Sequence, residues 1–348
     1  MPAISIDTFF ACTLMIAVVI GASVLSSEIL GAHIVEYQNL NEDNYLRTLS
    51  ENILLNAGTP ANWGSNGSII PESFGLAKNG SLSPTELDTD KISRLNGQNA
   101  FALTYPELLN AARLKNIALG VSVTQILDVS LTQYSNNTSG NSTTYVFEVS
   151  VSQDNTPVAA SLNCYTVAKN FLSSTNSNTS LDGLGYIDVE IPNASNGTAS
   201  LIVFARAIYD SRMTAYGVYL FEHLSTEQLP TNSFLGLSPL NYNLWVDPNY
   251  SDIILENAYA FSYEYESNLT VSSNSTYKIP VFLDKSPIVL VVTGVNASTF
   301  FVEWTAYPQI PLDAGANFTN VESHIFSYVV DVEGALYSLK LRFGGLSQ

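Results

Sequence analysis

The chain has 348 residues, in which 13 Lys and Arg face 31 Asp and Glu, so its formal net charge is −18. This charge repels phosphate backbones and argues against nucleic acid as a partner. The only cysteines are Cys12 in an apolar run and Cys164 in a strand-like segment, which gives no disulfide framework. Charged residues are only 13% of the chain, so neutral polar groups or attached sugars must solvate the surface.

The first element in chain order is an apolar run. Residues 8–25 contain no charged side chain, and as a helix they would span about 27 Å, just enough to cross the hydrocarbon core of a membrane. A cleaved secretion signal normally has a basic start, but the first basic residue here is Arg47. This weakens the interpretation as a cleaved signal, whereas a membrane anchor and the shaft of a larger assembly both stay open.

An amphipathic pattern follows the apolar run. Between Leu30 and Ile53, apolar residues recur at three- and four-residue steps with acidic residues between them, which predicts one buried helix face. The stretch NAGTP ends the pattern, because Gly58 can adopt a left-handed conformation and Pro60 cannot continue a helix. We therefore predict a single long helix over residues 1–56, hydrophobic and then amphipathic, which needs partners along its length.

These features resemble archaeal type IV pilins. The resemblance includes both halves of the helix, the stretch LLNAGTPANWG (54–64) and the stretch FGLAKNGSLSPTELDTDKISRL (74–95). It implies that the apolar half lies in the membrane before assembly and then packs against copies of itself in the core of a filament. The residues expected in this packing are Ile6, Phe9, Phe10, Leu14, Ala17, Gly21 and Leu25.

An acidic residue near the start of the chain extends the resemblance. Many bacterial-type pilins have Glu at the fifth mature position, where it meets the N-terminal amine of a neighbouring subunit. Asp7 would occupy that position if Ala3 were the first mature residue, so we expect Asp7 to be the charge partner. No basic residue with a Gly/Ala cleavage pair precedes the apolar run, which predicts a leader already removed or atypical processing.

The rest of the chain is predicted to be a neck over 57–116 and a β-rich head. Two helix starts are predicted in the neck, one at Ser83-Pro84 and the other at Thr104 with Pro106. From Ile117 onward the hydrophobic period changes to two. The pattern resembles immunoglobulin-like modules and predicts a β-sandwich over 117–210 and a second β-rich region over 211–348. The predicted fold class is therefore α+β, a long helix followed by one or two Ig-like sandwiches.

Asn-x-Ser/Thr triplets are concentrated in the predicted head. Composition alone would give about half as many, and residues 1–65 contain several Asn but no acceptor. An accidental origin in an Asn/Ser/Thr-rich chain is the alternative. We expect N-linked glycans, and no other cofactor, at Asn66, Asn79, Asn136, Asn137, Asn141, Asn178, Asn193, Asn196, Asn249, Asn268, Asn274, Asn296 and Asn317.

The sequence offers no catalytic motif, so we predict no enzymatic activity, no catalytic residues and no metal site. The three histidines are isolated in sequence and are interpreted as surface or packing residues. Asp88 and Asp90 form a D-x-D pair in which capping of a short helix is favoured over calcium binding. Four aromatic residues alternate between Tyr259 and Tyr265, which favours a core or subunit contact over a carbohydrate platform.

Two functions are consistent with these observations. The leading hypothesis is a pilin, the structural subunit of an extracellular archaeal adhesion filament, membrane-inserted before assembly and polymerised through its N-terminal segment. Its expected partners are identical subunits in a helical polymer and the cell or abiotic surfaces to which it adheres. The alternative is a single-pass, membrane-anchored surface glycoprotein or binding module. The two differ in whether protein or lipid surrounds residues 8–25.

Overall fold

The structure is a computed structural model that describes residues 13–20, 42–225, 232–273, 275–297, 299–318 and 323–345. These residues group into two compact units, Met1–Glu51 and Asn52–Gln348. The described helices are 13–20, 42–55, Thr89–Ser93 and Tyr105–Ala111, with 3-10 turns at Trp63–Ser65 and Asn193–Ser195. The strands are β1 Ile117–Gln125, β2 Asp128–Ser139, β3 Ser142–Gln153, β4 Thr156–Pro157, β5 Ala160–Ala168, β6 Phe171–Asn178, β7 Leu184–Pro192, β8 Gly197–Ala207, β9 Thr214–His223, β10 Leu235–Leu240, β11 Asn243–Pro248, β12 Ile253–Phe261, β13 Glu266–Asn268, β14 Thr270–Ser273, β15 Thr276–Lys278, β16 Ile288–Asn296, β17 Thr299–Tyr307, β18 Leu312–Gly315, β19 Ser323–Val332 and β20 Ala335–Gly345.

The predicted α+β class with one long helix over residues 1–56 is wrong. Most of the described chain is antiparallel β-sheet, and the helical residues described before residue 57 are 13–20 and 42–55; the part of the predicted helix between them lies outside the described residues. Within the described ranges, no helix is long and apolar enough to span a membrane. Helical patterns in the first part of a chain do not determine its fold class, because most of the polypeptide that follows here forms strands. The protein is mainly β.

The predicted end of the amphipathic helix is confirmed. The helix 42–55 stops just before the stretch NAGTP, and Gly58 has a φ of 77°, in the left-handed region. A Cβ atom at Gly58 would lie 2.5 Å from the backbone oxygen of Ser73, so a larger residue would be both strained and obstructed. Glycine at this position lets the chain turn sharply out of the helix.

The two neck helices differ in how well their starts were predicted. Thr104 begins the helix Tyr105–Ala111 with a capping box, as the sequence suggested. The other helix begins at Thr89 and not at Ser83, because the Asp88 side chain accepts hydrogen bonds from the backbone N–H groups of residues 90 and 91 at 3.1 and 3.0 Å. The capping role of Asp88 is confirmed, and the predicted start at Ser83 is wrong.

The strands form five antiparallel four-stranded sheets in the described residues, and four of these sheets are stacked. Sheet 1 contains β2, β3, β4 and β7; sheet 2 has the order β6-β5-β8-β9; sheet 3 has β13-β12-β16-β17; and sheet 4 has β10-β11-β15-β14. One apolar core lies between sheets 1 and 2, a second between sheets 2 and 3, and a third between sheets 3 and 4. The inner sheets 2 and 3 are therefore covered on both faces.

The double burial of the inner sheets explains their sequences. In β8, Leu201 and Val203 face sheet 1, whereas Ile202 and Phe204 face sheet 3. A strand that is covered on both faces has no solvent-facing positions, so it forms an almost continuous apolar run without polar alternation. The run SLIVF in β8 and the run IVLVV in β16 have this character.

The fifth sheet joins distant parts of the chain. Its order is β18-β1-β20-β19, and β1 pairs along its whole length with β20, from Ile117 opposite Gly345 to Gln125 opposite Tyr337. The strand β19 lies at one edge and pairs with β20 over ten registered positions without a bulge.

Candidate functional site

The helix 13–20 exposes its apolar side chains. Its six large apolar residues are 57–70% exposed, and they lie on all sides of the helix instead of on one stripe. Leu14 and Ala17, two of the residues predicted to pack in a filament core, lie here and are exposed. The other predicted packing residues and the predicted charge partner lie outside the described residues: Ile6, Asp7, Phe9, Phe10, Gly21 and Leu25.

This exposure has an energetic consequence. Covering one large aliphatic side chain stabilises a protein by about 1.5–3 kcal/mol, and contiguous exposed apolar surface marks a site of protein or membrane contact. The helix 13–20 contains no charged residue that would oppose such contact. A layer of lipid or of protein around this segment is therefore strongly favoured over water.

The predicted glycan acceptors lie at the surface. Asn193 and Asn296 are half-buried, Asn274 lies outside the described residues, and every other acceptor is exposed. Five of the acceptors lie together at one end of sheet 1, because the start of β3 pairs with the end of β7. They are Asn136, Asn137, Asn141, Asn193 and Asn196. Glycans on these residues would cover that end of the β stack.

Asn193 differs from the neighbouring acceptors in its hydrogen bonds. Its side-chain oxygen accepts a hydrogen bond from Thr143 Oγ1 at 2.9 Å, and its Nδ2 donates to the carbonyl oxygen of Gly140 at 3.3 Å. Both ends of the amide are thus engaged, including the nitrogen to which a glycan would be attached.

A cleft of about 370 Å³ lies beside the loop 281–286. Lys78 Nζ donates to Glu86 at 2.8 Å and to Glu333 at 3.2 Å. Burial opposes ionisation of Glu86, but the hydrogen bonds from Lys78 and Ser81 outweigh it and hold the pKa of Glu86 below its ordinary value. The Glu86 carboxylate is therefore ionised at neutral pH and can accept hydrogen bonds from a ligand.

A third carboxylate, that of Asp90, is hydrogen-bonded to Tyr307, which lines this cleft. Asp90 Oδ1 accepts hydrogen bonds from the Asn241 backbone N–H at 2.7 Å and from Tyr307 Oη at 2.8 Å. Burial raises the pKa of Asp90, since these two hydrogen bonds do not fully compensate for lost hydration. Asp90 was noted in the sequence only as part of a D-x-D pair, because Asn241 and Tyr307 are brought to it only by the tertiary fold.

Two buried cations also escaped the sequence analysis. Lys91 Nζ donates to the carbonyl oxygens of Ala57 and Ala77 at 2.9 and 2.7 Å. Arg94 donates to a ring of backbone carbonyls that includes Trp63 at 2.6 Å, and both cations lie over the indole ring of Trp63. Desolvation lowers the pKa of both side chains. They act as fixed hydrogen-bond donors that hold the loops of the neck together.

The interpretation of the histidines as surface or packing residues is confirmed for His223. His223 is fully buried, with its ring nitrogens hydrogen-bonded to Tyr145 and to the Pro192 carbonyl, each at 3.0 Å. Burial raises the pKa of the Cys164 thiol to about 12. Within the described residues, no group of three or more His, Cys, Asp or Glu side chains could hold a metal ion.

The alternating aromatic series divides at the end of β12. Tyr259, Phe261 and Tyr263 pack in or against the core between sheets 2 and 3, which confirms the core interpretation for these three rings. The strand ends there: Tyr263 lies under the guanidinium of Arg206 at 3.8 Å, and Tyr265 stacks on Phe282. The four rings therefore do not form one continuous platform.

Comparison with known proteins adds no family assignment. No family model and no curated protein matches the chain. Among solved structures, HBP35 of Porphyromonas gingivalis aligns with a TM-score of 0.20 and 14% identity, over 52% of this chain and 63% of that one. Human GIVD cytosolic phospholipase A2 aligns with a TM-score of 0.15 and 10% identity, over 67% of this chain and 33% of that one. The chain spans less than two thirds of either protein, and neither likeness carries an argument about fold or function.

Proposed function

We propose that this chain is the structural subunit of an extracellular adhesion filament of the archaeal type IV pilin kind. In this proposal, the apolar segment that includes residues 13–20 is covered by membrane before assembly and by neighbouring copies afterwards. The β stack faces outward and carries N-linked glycans. Adhesion to cells or to abiotic surfaces would then be a property of the displayed β stack.

The observation that carries the proposal is the exposure of the apolar helix 13–20. A soluble protein that acts alone would leave this surface in water at a large cost in free energy. Helices from neighbouring copies can cover it on all sides, and Ala17 would permit close approach of their backbones. The exposed glycan acceptors add support, because a coat of sugars is useful only on a surface that faces the outside of the cell.

Removal of detergent from the purified chain tests the proposal. We expect the parent chain to form filaments that sediment and are visible by negative-stain electron microscopy. Val18→Asp places a charge on the apolar helix, where burial among copies would desolvate it, and we expect it to abolish the filaments. Val271→Asp is the matched control, since Val271 is 69% exposed and Val18 is 63% exposed, and we expect it to assemble like the parent.

Two results would contradict the proposal. One is a parent chain that stays monomeric in detergent and inserts as single copies into lipid vesicles, which would favour the membrane-anchored glycoprotein. The other is equal assembly of Val18→Asp and Val271→Asp, which would exclude the helix 13–20 from the contact between subunits.

A further inference from the structure

The strand β19 has an open edge. Near its end, Leu87 N donates to the Asp331 carbonyl at 2.8 Å and Asp331 N donates to the Thr85 carbonyl at 3.1 Å, so Asp331 directs both backbone groups away from β20. Outward-directed groups recur at every second residue of a strand in an antiparallel pair. Ile325, Ser327 and Val329 therefore also direct their N–H and C=O groups outward, and no described strand pairs with them.

Several other edges of the described sheets are protected. The edge strand β2 has a bulge and two glycan acceptors, β10 contains a proline and β14 is bulged. At β9, the Gln125 side chain donates to the Tyr216 carbonyl at 3.0 Å and accepts from its N–H. Bulges, prolines and covering groups are the features by which proteins prevent pairing between sheet edges.

Among the residues that the structure describes, none of these protections is found on β19 before Asp331. Its sequence, SHIFSYVVDV, contains no proline, lysine or glycan acceptor, and its one charged residue, Asp331, is at the end already covered by residues 85–87. Ile325 and Val329 are 56% and 57% exposed. A long, regular and apolar edge strand favours pairing with another strand.

We propose that β19 is a self-association edge, at which two copies of the chain pair their β19 strands antiparallel about a twofold axis at Ser327. This register places Ile325 of each copy opposite Val329 of the other. At all three outward-directed positions, the N–H group of one copy then faces a C=O group of the other, and its C=O group faces an N–H group, as in any hydrogen-bonded antiparallel pair. Two four-stranded sheets become one continuous sheet.

A second copy fits this edge better than an unrelated partner does. The two exposed apolar residues are equally spaced on either side of Ser327, so the edge is complementary to itself. Copies with a net charge of −18 repel one another over most of their surfaces. The uncharged stretch 323–330 lets two copies approach without bringing carboxylates together, and the inference does not depend on filament formation.

Cysteine cross-linking of the full chain tests this register. The variants carry Cys12→Ser, so that the buried Cys164 is the one native cysteine left, and Val18→Asp, to suppress contacts through the apolar helix. Opposite residues of a hydrogen-bonded antiparallel pair have Cα atoms about 5.5 Å apart, within disulfide range. We expect Ser327→Cys to give a disulfide-linked dimer under mild oxidation, and the control Ser272→Cys, an exposed serine on β14, to stay monomeric.

Lysine variants separate a specific edge contact from random collision. We expect Val329→Lys to abolish the dimer formed by Ser327→Cys, because the lysine would be desolvated opposite Ile325, whereas Val271→Lys leaves the dimer unchanged. Ile325→Lys repeats the test from the other side of the axis, and thermal melting by circular dichroism establishes that each variant is folded. Equal cross-linking of Ser327→Cys and Ser272→Cys, or a dimer that survives both lysines of β19, would overturn the proposal without affecting the proposed filament.

Discussion

Asp90 shows how one buried carboxyl makes stability depend on pH. The pKa of Asp90 is raised in the folded chain, so the Asp90 carboxyl ionises at a lower pH in the unfolded chain than in the folded one. The contribution of Asp90 to stability therefore falls as the pH rises from about 4, the ordinary value for aspartate, through the raised value. The hydrogen bonds from the Asn241 N–H and Tyr307 persist, but they do not remove this cost.

Asp90→Asn is expected to remove this pH dependence, because an amide oxygen still accepts both hydrogen bonds and carries no charge. Relative to the parent, the variant should gain stability in denaturant unfolding as the pH rises from acid to neutral. Asp210→Asn provides a control of opposite sign. Hydrogen bonds from Arg212 lower the pKa of Asp210, so its contribution to stability is present at neutral pH and is lost in acid. A constant difference between Asp90→Asn and the parent at every pH would contradict the prediction.

At the scale of single elements, β16 illustrates what periodicity can and cannot reveal. Its apolar run lies in the predicted β-rich region 211–348, but one sequence does not show which neighbouring sheets cover the two faces of a strand. In the structure, Leu290 packs in the core between sheets 3 and 4, and Val291 packs in the core between sheets 2 and 3. Local pattern thus identified most strands, whereas their order in the sheets depends on contacts between distant residues.

Leu290→Ala is expected to lower the free energy of unfolding by about 3 kcal/mol, since it removes buried apolar surface and leaves a cavity in a core with little freedom to collapse. Leu181→Ala, at a position that is 90% exposed, should change this free energy by less than about 0.5 kcal/mol. Chemical denaturation monitored by tryptophan fluorescence measures both. Similar losses for the two variants would mean that sheet 3 is not buried on both faces.

At the scale of the whole molecule, the glycan acceptors define which surfaces can be coated. The triplets are visible in the sequence, but their local environments are not. Asn137 is exposed on β2, whereas the Asn193 amide is held by Thr143 and Gly140. An amide nitrogen that already donates a hydrogen bond and is half-buried is a poorer acceptor for a glycan.

Glycopeptide mass spectrometry of the chain from a glycosylating host tests this difference. We expect higher occupancy at Asn137 than at Asn193. Thr143→Ala removes one of the hydrogen bonds that hold the Asn193 side chain and, because Thr143 completes the Asn141 triplet, also the acceptor at Asn141. It should raise occupancy at Asn193 while leaving Asn137 unchanged. Full occupancy at Asn193 in the parent would contradict the expectation.

The sequence predicted the β-rich composition from residue 117 onward, the helix start at Thr104 and the turn at Gly58 because each is determined by neighbouring residues. It led us to a wrong fold class because the helical patterns cover only the first part of the chain, whereas most of the described residues form strands. The ion pairs of Lys78 and the carbonyl ring around Arg94 were not predictable, since their members are separated in sequence and converge only after folding.

The pairing of β1 with β20 has a consequence for how the protein is made. β1 leaves the ribosome well before its two neighbours in the sheet, β18 and β20, have been translated. Until then β1 lacks both of these strands, and closing the long loop between β1 and β20 is slow. During synthesis, the unpaired edges of β1 must therefore be kept from pairing with other nascent chains until β20 has emerged.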